Sequence, residues 1–244
     1  MINKIKFREL ILVDRKEECN DIVSFYFKDK HGEKLIKHKP GQFLPFKIKT
    51  EDSRYKDVIR TYSLSIIPNE SMYRISVKKV NDGLISSYLH DNLKIGDIIE
   101  AMEPTGLFTI KDTSKNRPLI LISGGIGVTP LLSMLYEESK NRDDIYFVQA
   151  VQNSLIHPFK DDIESICKNK KMSNIVFYSN PLEIDKEGLN YNFKGYISKE
   201  WIQSNLPLNG DFYFCGPPIF MTNIEKSLID LGVKKEFIHY ELFN

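Results

Sequence analysis

The sequence predicts two domains in series, a closed antiparallel β-barrel followed by a doubly wound α/β domain on a parallel sheet. Three observations carry this. The 244 residues are enough for two domains of ordinary size. Up to about residue 110, short apolar-rich segments recur between Gly and Pro turns, the pattern of a small barrel. After residue 117, strand-like and helix-like segments alternate, as parallel strands joined by crossover helices require.

In the first half, strands are expected at 23–28, 43–48 (after the Pro40–Gly41 turn), 60–67, 73–80, 95–100 and 106–110. One interruption, 84–93, spaces Leu84, Tyr88 and Leu89 as a helix does. Residues 111–117 (KDTSKNR) are polar, have no apolar period and read as a linker. The second half then gives strands at 118–123, 144–150, 174–179, 211–215 and 237–243. Helices are expected at 129–140, 159–170, 199–205 and 219–231. No internal repeat or low-complexity tract interrupts this order.

Composition removes several function classes. Hydrophobic residues at 41% and charged residues at 27% are the balance of a globular protein. The 34 basic and 33 acidic residues leave a net charge of +1, so no basic field invites nucleic acid or an anionic membrane. The run Lys168-Asn169-Lys170-Lys171 reads as a solvated helix end. The longest apolar stretch, 118–122, is strand-sized, against about 20 residues for a membrane span. Residues 1–8 alternate charge with Ile and Phe and lack the apolar core of a signal peptide. A soluble cytoplasmic protein is expected. Cys19, Cys167 and Cys215 lie too far apart for a local zinc or iron–sulfur site, and no metal is expected.

Each half carries a candidate site. Ser123 is followed by Gly124, Gly125, Ile126, Gly127, Val128, Thr129 and Pro130, between an apolar strand and a helix. Glycines let the backbone turn tightly and approach a ligand, and the helix N-terminus offers N–H groups to a phosphate. Pro130 suits the first helical turn. The segment is neither GxGxxG nor a P-loop, and its plainer reading is a strand–helix turn. Cys215, Gly216, Pro217 and Pro218 form a rigid turn at the carboxyl edge of the sheet, where ligands bind in open α/β folds. Cys215 is equally readable as a small buried residue. In the first half Arg60, Thr61, Tyr62 and Ser63 open a strand. Arg can grip phosphate, Tyr can stack on a ring, and Ser can bond a ring nitrogen. By themselves these residues read more simply as an exposed Arg and a core Tyr. Gly83, Leu84, Ile85 and Ser86 open the helix of the first half, a second possible anion site, with capping by Asp82 or Ser86 as the simpler reading.

In order and spacing, these segments resemble the ferredoxin–NADP reductase superfamily, and within it the reductase portion of flavohaemoglobins. The likeness covers PGQF at 40–43, RTYSLS at 60–65, YRISVKK at 73–79, KIGD at 94–97 and PTGLF at 104–108. It continues through GGIGVTP at 124–130, FYFCGPPIFM at 212–221 and HYELF at 239–243. The resemblance implies an FAD-binding barrel over 1–112 and an NAD(P)-binding domain over 113–244. By the same resemblance Arg60 would hold the flavin phosphates, with Thr61 beside it. Tyr62 would stack on the flavin ring and Ser63 would bond near its N5. Ser76, Val77 and Lys78 would line the flavin and its tail, and Gly83 to Ser86 would bind its pyrophosphate. The 124–130 turn would cradle the nicotinamide cofactor's pyrophosphate. Cys215, followed by Gly216 and Pro217, would lie beside the nicotinamide ring. Glu241 matches an acidic residue associated with proton or electron handling, and Phe243 an aromatic cover over the flavin. Phe43 stands where flavohaemoglobins usually have Tyr, so one hydroxyl contact is missing.

The activity implied is hydride transfer from NADH or NADPH to FAD, with electrons passed to a separate ferredoxin, globin or oxygenase component. No globin portion, ferredoxin-like extension or cluster of cysteines is expected in this chain. A reductase using free flavin as substrate is the alternative, and a scaffold that has lost hydride transfer is a third. Gln152 and Asn153, and Tyr196, stand where Arg would favour NADPH, so NADH is preferred.

Overall fold

The computed structural model describes residues 6–112, 116–170 and 172–243. The boundary between residues 112 and 113 falls at the start of a stretch, 113–115, that lies outside the described residues, as do residues 1–5, Lys171 and Asn244.

The first half is a six-stranded antiparallel sheet. Its strands are β1 (Arg8–Cys19), β2 (Ile22–Asp29), β3 (Phe43–Ile48), β4 (Arg60–Ser63), β5 (Tyr73–Lys78) and β6 (Ile98–Ala101). They run in the order β4-β3-β6-β1-β2-β5. A bridge between Leu64 and Ile75 joins the two edges, and Ser65 N donates to Arg74 O at 2.9 Å, so the sheet closes on itself. Closure hides edge backbone groups that would otherwise invite aggregation. Inward residues such as Leu12, Phe25, Phe27, Phe46, Val77 and Ile99 fill the interior. The helix α1 (Leu84–Asp91) adds Ile85 and Leu89 to that core.

Three expectations need correction here. The longest strand of the barrel, β1, is missing from the expected set. Its second half, Asp14 to Cys19, is charged, and bulges between Leu12 and Asp14 and between Glu17 and Cys19 break the alternation. The expected strand at 60–67 ends at Ser63, and the rest pairs through the single bridge. The expected strand at 106–110 is absent. Only Thr105 bridges Phe43, and the chain then turns away so that Phe108 enters the core of the second half.

The second half is a parallel sheet of β7 (Leu119–Gly124), β8 (Ile145–Val151), β9 (Ser173–Tyr178), β10 (Phe193–Lys194), β11 (Asp211–Cys215) and β12 (Ile238–Glu241). The order is β10-β9-β8-β7-β11-β12. The two-residue β10 is too short to leave a periodic signal. Helices α2 (Val128–Glu138) and α3 (Lys160–Lys170) cover one face. Helices α4 (Lys199–Asn205) and α5 (Pro218–Asp230) cover the other. The alternation of β7 explains why both faces are covered. Leu119 and Leu121 enter the core under α2 and α3, while Ile120 and Ile122 enter the core under α4 and α5. Each such side chain contributes about 1.5–3 kcal/mol of burial.

A buried seam joins the halves. The His38 ring Nε2 lies 3.2 Å from Ser133 Oγ of α2, and Ser133 Oγ donates to Ile66 O at 2.9 Å. Burial pulls the His38 pKa down to about 4, so it stays neutral at the seam. Asn20 N donates to Leu155 O at 3.1 Å, and Lys111 N to the Tyr213 hydroxyl at 2.9 Å. Just before α3, Phe159 holds φ +57°, a left-handed conformation that costs a bulky residue about 1–2 kcal/mol. No described helix is long and apolar enough to cross a membrane.

Candidate functional site

The chain leaves β7 for β8, β9 and β10 on one side, then returns to β11 and β12 on the other. The order therefore reverses between β7 and β11, and a crevice at such a point is where open α/β sheets take ligands. The two loops flanking it are the two glycine motifs. Gly125–Gly127 forms a 3-10 turn leading into α2, and Cys215-Gly216-Pro217 leads into α5.

Two glycines act differently in this turn. Gly125 has φ +52° and nothing within 4 Å of where a Cβ would stand, so its conformation requires glycine and its surroundings are open. At Gly127 a Cβ would stand 2.1 Å from Cys215 O and 2.6 Å from Gly216 N, so close approach of the two loops requires glycine. Only Gly125 and Ile126 of the segment reach the surface; Gly124, Gly127, Val128, Thr129 and Pro130 are buried. The Thr129 hydroxyl donates to Ile126 O at 3.0 Å, inside the turn itself. What the segment can offer a ligand is its backbone N–H groups.

Helix starts divide into two kinds. Those of α1, α2 and α5 have no side-chain cap and no acidic residue in the first turn. By contrast, α3 begins with Asp161 and Asp162, and α4 is capped by Ser198, whose hydroxyl accepts from Trp201 N. The uncapped starts are those of the three segments singled out for phosphate or ring binding, and their free N–H groups and positive dipole ends suit an anion. At α1, Gly83 is the cap residue, Leu84 is exposed and Ile85 is buried. The Ser86 hydroxyl accepts from Val80 N, so neither Asp82 nor Ser86 caps the helix.

In the barrel, Arg60 and Thr61 are exposed. The Arg60 guanidinium donates only to the neighbouring Ile59 O, with no carboxylate paired to it among the described residues. Tyr62 is half-buried and stacks on Phe46 at 5.7 Å; burial pushes its hydroxyl pKa up to about 12. Ser63 is buried opposite Phe43. On β5, alternate side chains part. Val77 points into the barrel core, while Ser76 lies on the outer face, its hydroxyl 2.7 Å from those of Ser24 and Ser65. Lys78 is exposed and paired with Asp21 at 3.2 Å. Of the three, only Lys78 is exposed, while Ser76 and Val77 are buried and paired with β2. The Gly125–Gly127 turn also comes close to β5, which brings the two candidate sites near each other at this strand.

At the far side, Cys215 is fully buried on the α2 face, and its Sγ donates to Glu241 O at 3.4 Å. Burial, with the Glu241 charge adding to it, pushes the thiol pKa far up, so it is a neutral thiol and no nucleophile at ordinary pH. Burial also raises the Glu241 carboxyl to about 7. Glu241 borders a cleft of about 370 Å³ with Phe108 and His239. Phe243 is 40% exposed. Among the described residues no group of three or more His, Cys, Asp or Glu side chains is placed to hold a metal. A buried cation outside the expected site residues, Arg74, lies on the outer face of β5; its signal in the sequence is a charge between the apolar Tyr73 and Ile75 near the start of the strand.

The donors and openings fit a dinucleotide on each side of the seam: an unpaired Arg60, three uncapped helix starts and an open Gly125. Comparison with known proteins agrees. Residues 9–110 match the oxidoreductase FAD-binding domain family and residues 121–226 the oxidoreductase NAD-binding domain family. The chain is 40% identical over 246 residues to a flavohemoprotein of Bacillus thuringiensis subsp. konkukian, covering 97% of this chain and 61% of that protein. It is 36% identical to the flavohemoprotein of Bacillus subtilis, covering 98% and 59%. The chain thus spans about 60% of the length of these curated relatives. The flavohem-like FAD/NAD binding domain of nitric oxide dioxygenase from Vibrio cholerae superposes with a TM-score of 0.87 at 32% identity, covering 97% of this chain and 98% of that one. A ferredoxin reductase in carbazole 1,9a-dioxygenase shares the fold, with a TM-score of 0.83 at 20% identity over 98% of this chain and 70% of that one.

Proposed function

The chain belongs to the ferredoxin–NADP reductase superfamily, as an NAD(P)H-dependent flavoprotein reductase that takes FAD and NAD(H), and from that premise we propose that it passes electrons from NADH to a separate protein acceptor. Residues 1–112 form the FAD-binding half and 113–244 the nicotinamide-binding half. Bound FAD supplies the chemistry, taking a two-electron donor and releasing electrons singly. The observation that carries the reading is the meeting of the Arg60–Ser63 strand, β5 and the Gly125–Gly127 turn at the switch point of the sheet.

In this reading Arg60 and the start of α1 hold the FAD phosphates, Tyr62 supports the ring, and the buried Ser63 hydroxyl holds a proton near the ring edge. The turn at Gly125 and the start of α2 hold the nicotinamide cofactor's pyrophosphate. Cys215 orients the nicotinamide ring as a neutral thiol, and Glu241, titrating near neutrality, exchanges protons with solvent. Phe243 covers the flavin. NADH is preferred. Gln152 and Asn153 follow β8 without a cation, and the Asp185 carboxylate, accepting from Ser154 N at 3.3 Å, opposes a second phosphate there.

A ferredoxin, a globin or an oxygenase component is the acceptor class, supported by the flavohemoprotein relatives and the oxygenase-linked reductase fold. Use of free flavin is the second reading, favoured by the 40% exposure of Phe243. Anaerobic titration with NADH decides. Yellow protein bleached by NADH, and more slowly by NADPH, supports bound FAD; colourless protein that reduces added flavin supports the second reading. Arg60→Leu is expected to weaken FAD retention about 10–100-fold, the worth of one charge-assisted phosphate contact. Ser63→Ala is expected to slow bleaching about 5–10-fold without loss of FAD. Unchanged bleaching would remove the Ser63 role.

A further inference from the structure

We propose that Arg74 is a positioning residue for hydride transfer, fixing how the two halves of the protein meet across the cofactor cleft. This rests on the reading of the cleft given above.

Arg74 is the second residue of β5 and is 5% exposed. Among the described residues no carboxylate is ion-paired with it. A buried guanidinium needs its donors and its charge satisfied by the protein, and here the two halves share that task. The barrel takes the donors. Nε donates to Ser65 Oγ at 3.1 Å, one terminal nitrogen to Ser65 O, and the other to the Tyr26 hydroxyl at 3.4 Å. Rings of both halves take the face: the guanidinium lies 5.0 Å from the centre of the Phe159 ring and 6.0 Å from that of Tyr136, both of the second half, and 5.8 Å from that of Tyr26 of the barrel. An aromatic face attracts a desolvated cation strongly and in one orientation.

Two further observations point to a built clamp. Phe159 adopts φ +57°, a conformation that persists in a bulky residue only when its surroundings hold it, and this seats its ring beneath Arg74. The loop before it is anchored by His157, whose ring nitrogens lie 2.9 Å from the Tyr178 hydroxyl and 2.9 Å from Gln149 Oε1. On the barrel side, the Ser65 hydroxyl that accepts from Arg74 lies 2.7 Å from the Ser76 hydroxyl, two residues along β5 and opposite the strand end at Ser63. The guanidinium is therefore tied to both strands that line the barrel's part of the cleft, and stacked on the domain that carries the glycine turn. A rotation between the halves would break the stacking.

Binding of FAD depends on the barrel and binding of NADH largely on the second half. The rate of hydride transfer depends steeply on how the two rings approach. Loss of the clamp should therefore lower the limiting rate and spare both affinities. Three variants test this in anaerobic stopped-flow: Arg74→Met, Arg74→Lys, and Phe159→Gly, which removes the ring where the backbone already favours glycine. FAD content and the NADH concentration at half-maximal rate should stay within about 2-fold, while the limiting rate falls at least about 10-fold in Arg74→Met and Phe159→Gly and less in Arg74→Lys. In FAD-free protein, backbone hydrogen exchange should quicken at residues 65–67 and 133–139 and stay unchanged in β7. Limiting rates within about 2-fold of the unaltered protein, or unchanged exchange at the seam, overturn the assignment. If Arg74→Met does not fold, Phe159→Gly decides between these outcomes. Failure of the underlying reading looks different: the unaltered protein itself would not be bleached by NADH.

Discussion

Gly127→Ala is expected to disable the nicotinamide site and to destabilise the second half of the molecule by about 2–3 kcal/mol, the upper range for overpacking a close contact. The added Cβ would stand 2.1 Å from Cys215 O and 2.3 Å from its carbonyl carbon. Both are backbone atoms of a buried strand end, so neither can swing away as a side chain would. The α2 start and the Cys215–Pro217 loop must separate, which opens the crevice between β7 and β11. In a chain of this size the loss corresponds to a fall in Tm on the order of 5–10 °C. Gly125→Ala is the control. Its Cβ meets nothing within 4 Å, and the cost is the φ of +52°, about 1 kcal/mol. That methyl would stand in the open space offered to the cofactor. Gly125→Ala is thus expected to melt within a few degrees of the unaltered protein yet need more NADH for half-maximal bleaching. Thermal melts beside NADH titrations separate the two effects. Equal melting temperatures for the two variants would contradict the division between packing and conformation.

Glu241→Gln should remove a loss of stability that Glu241 imposes as pH rises towards neutrality. Burial raises the folded-state pKa of Glu241 to about 7, from an ordinary 4.5. A carboxyl with a raised folded pKa binds its proton more tightly in the folded than in the unfolded chain. Its contribution to stability is therefore undiminished below about pH 4.5 and falls as pH rises towards 7, where the ionised form must be held in a partly dry site. The full shift is worth about 3 kcal/mol; solvent reaching the group cuts this to about 1–2 kcal/mol. Urea unfolding of FAD-free protein should show Glu241→Gln close to the unaltered protein at pH 5 and more stable by that amount at pH 8. A difference of the same size at both pH values would show that Glu241 titrates normally. The same titration bears on function, because a carboxyl near pH 7 is matched to proton exchange during turnover.

Much of this architecture can be read along the chain. The helix at Lys199–Asn205 and the strand at Asp211–Cys215 fall on the expected residues, because Ser198 caps the one and Gly210 bounds the apolar run of the other. The 124–130 turn declares itself by three glycines in four positions. Other elements resist such reading. β1 hides behind its charged half and two bulges, and 106–110 looks like a strand but serves to carry Phe108 across to the second core. The gathering of the Ser76 hydroxyl with those of Ser24 and Ser65 cannot be seen until β2 and the end of β4 are in place beside β5.

The residues alone dictate the order of strands and helices, the doubly wound second half and the glycine turn, since these follow from local periodicity and from which φ values and side chains a position tolerates. Tertiary structure decides the closure of the barrel through Leu64 and Ile75, the raised pKa of Glu241, the burial of Cys215 and the seat of Arg74 between two domains. Each of those depends on groups distant in sequence whose separations and shared exclusion of water exist only once the chain has folded.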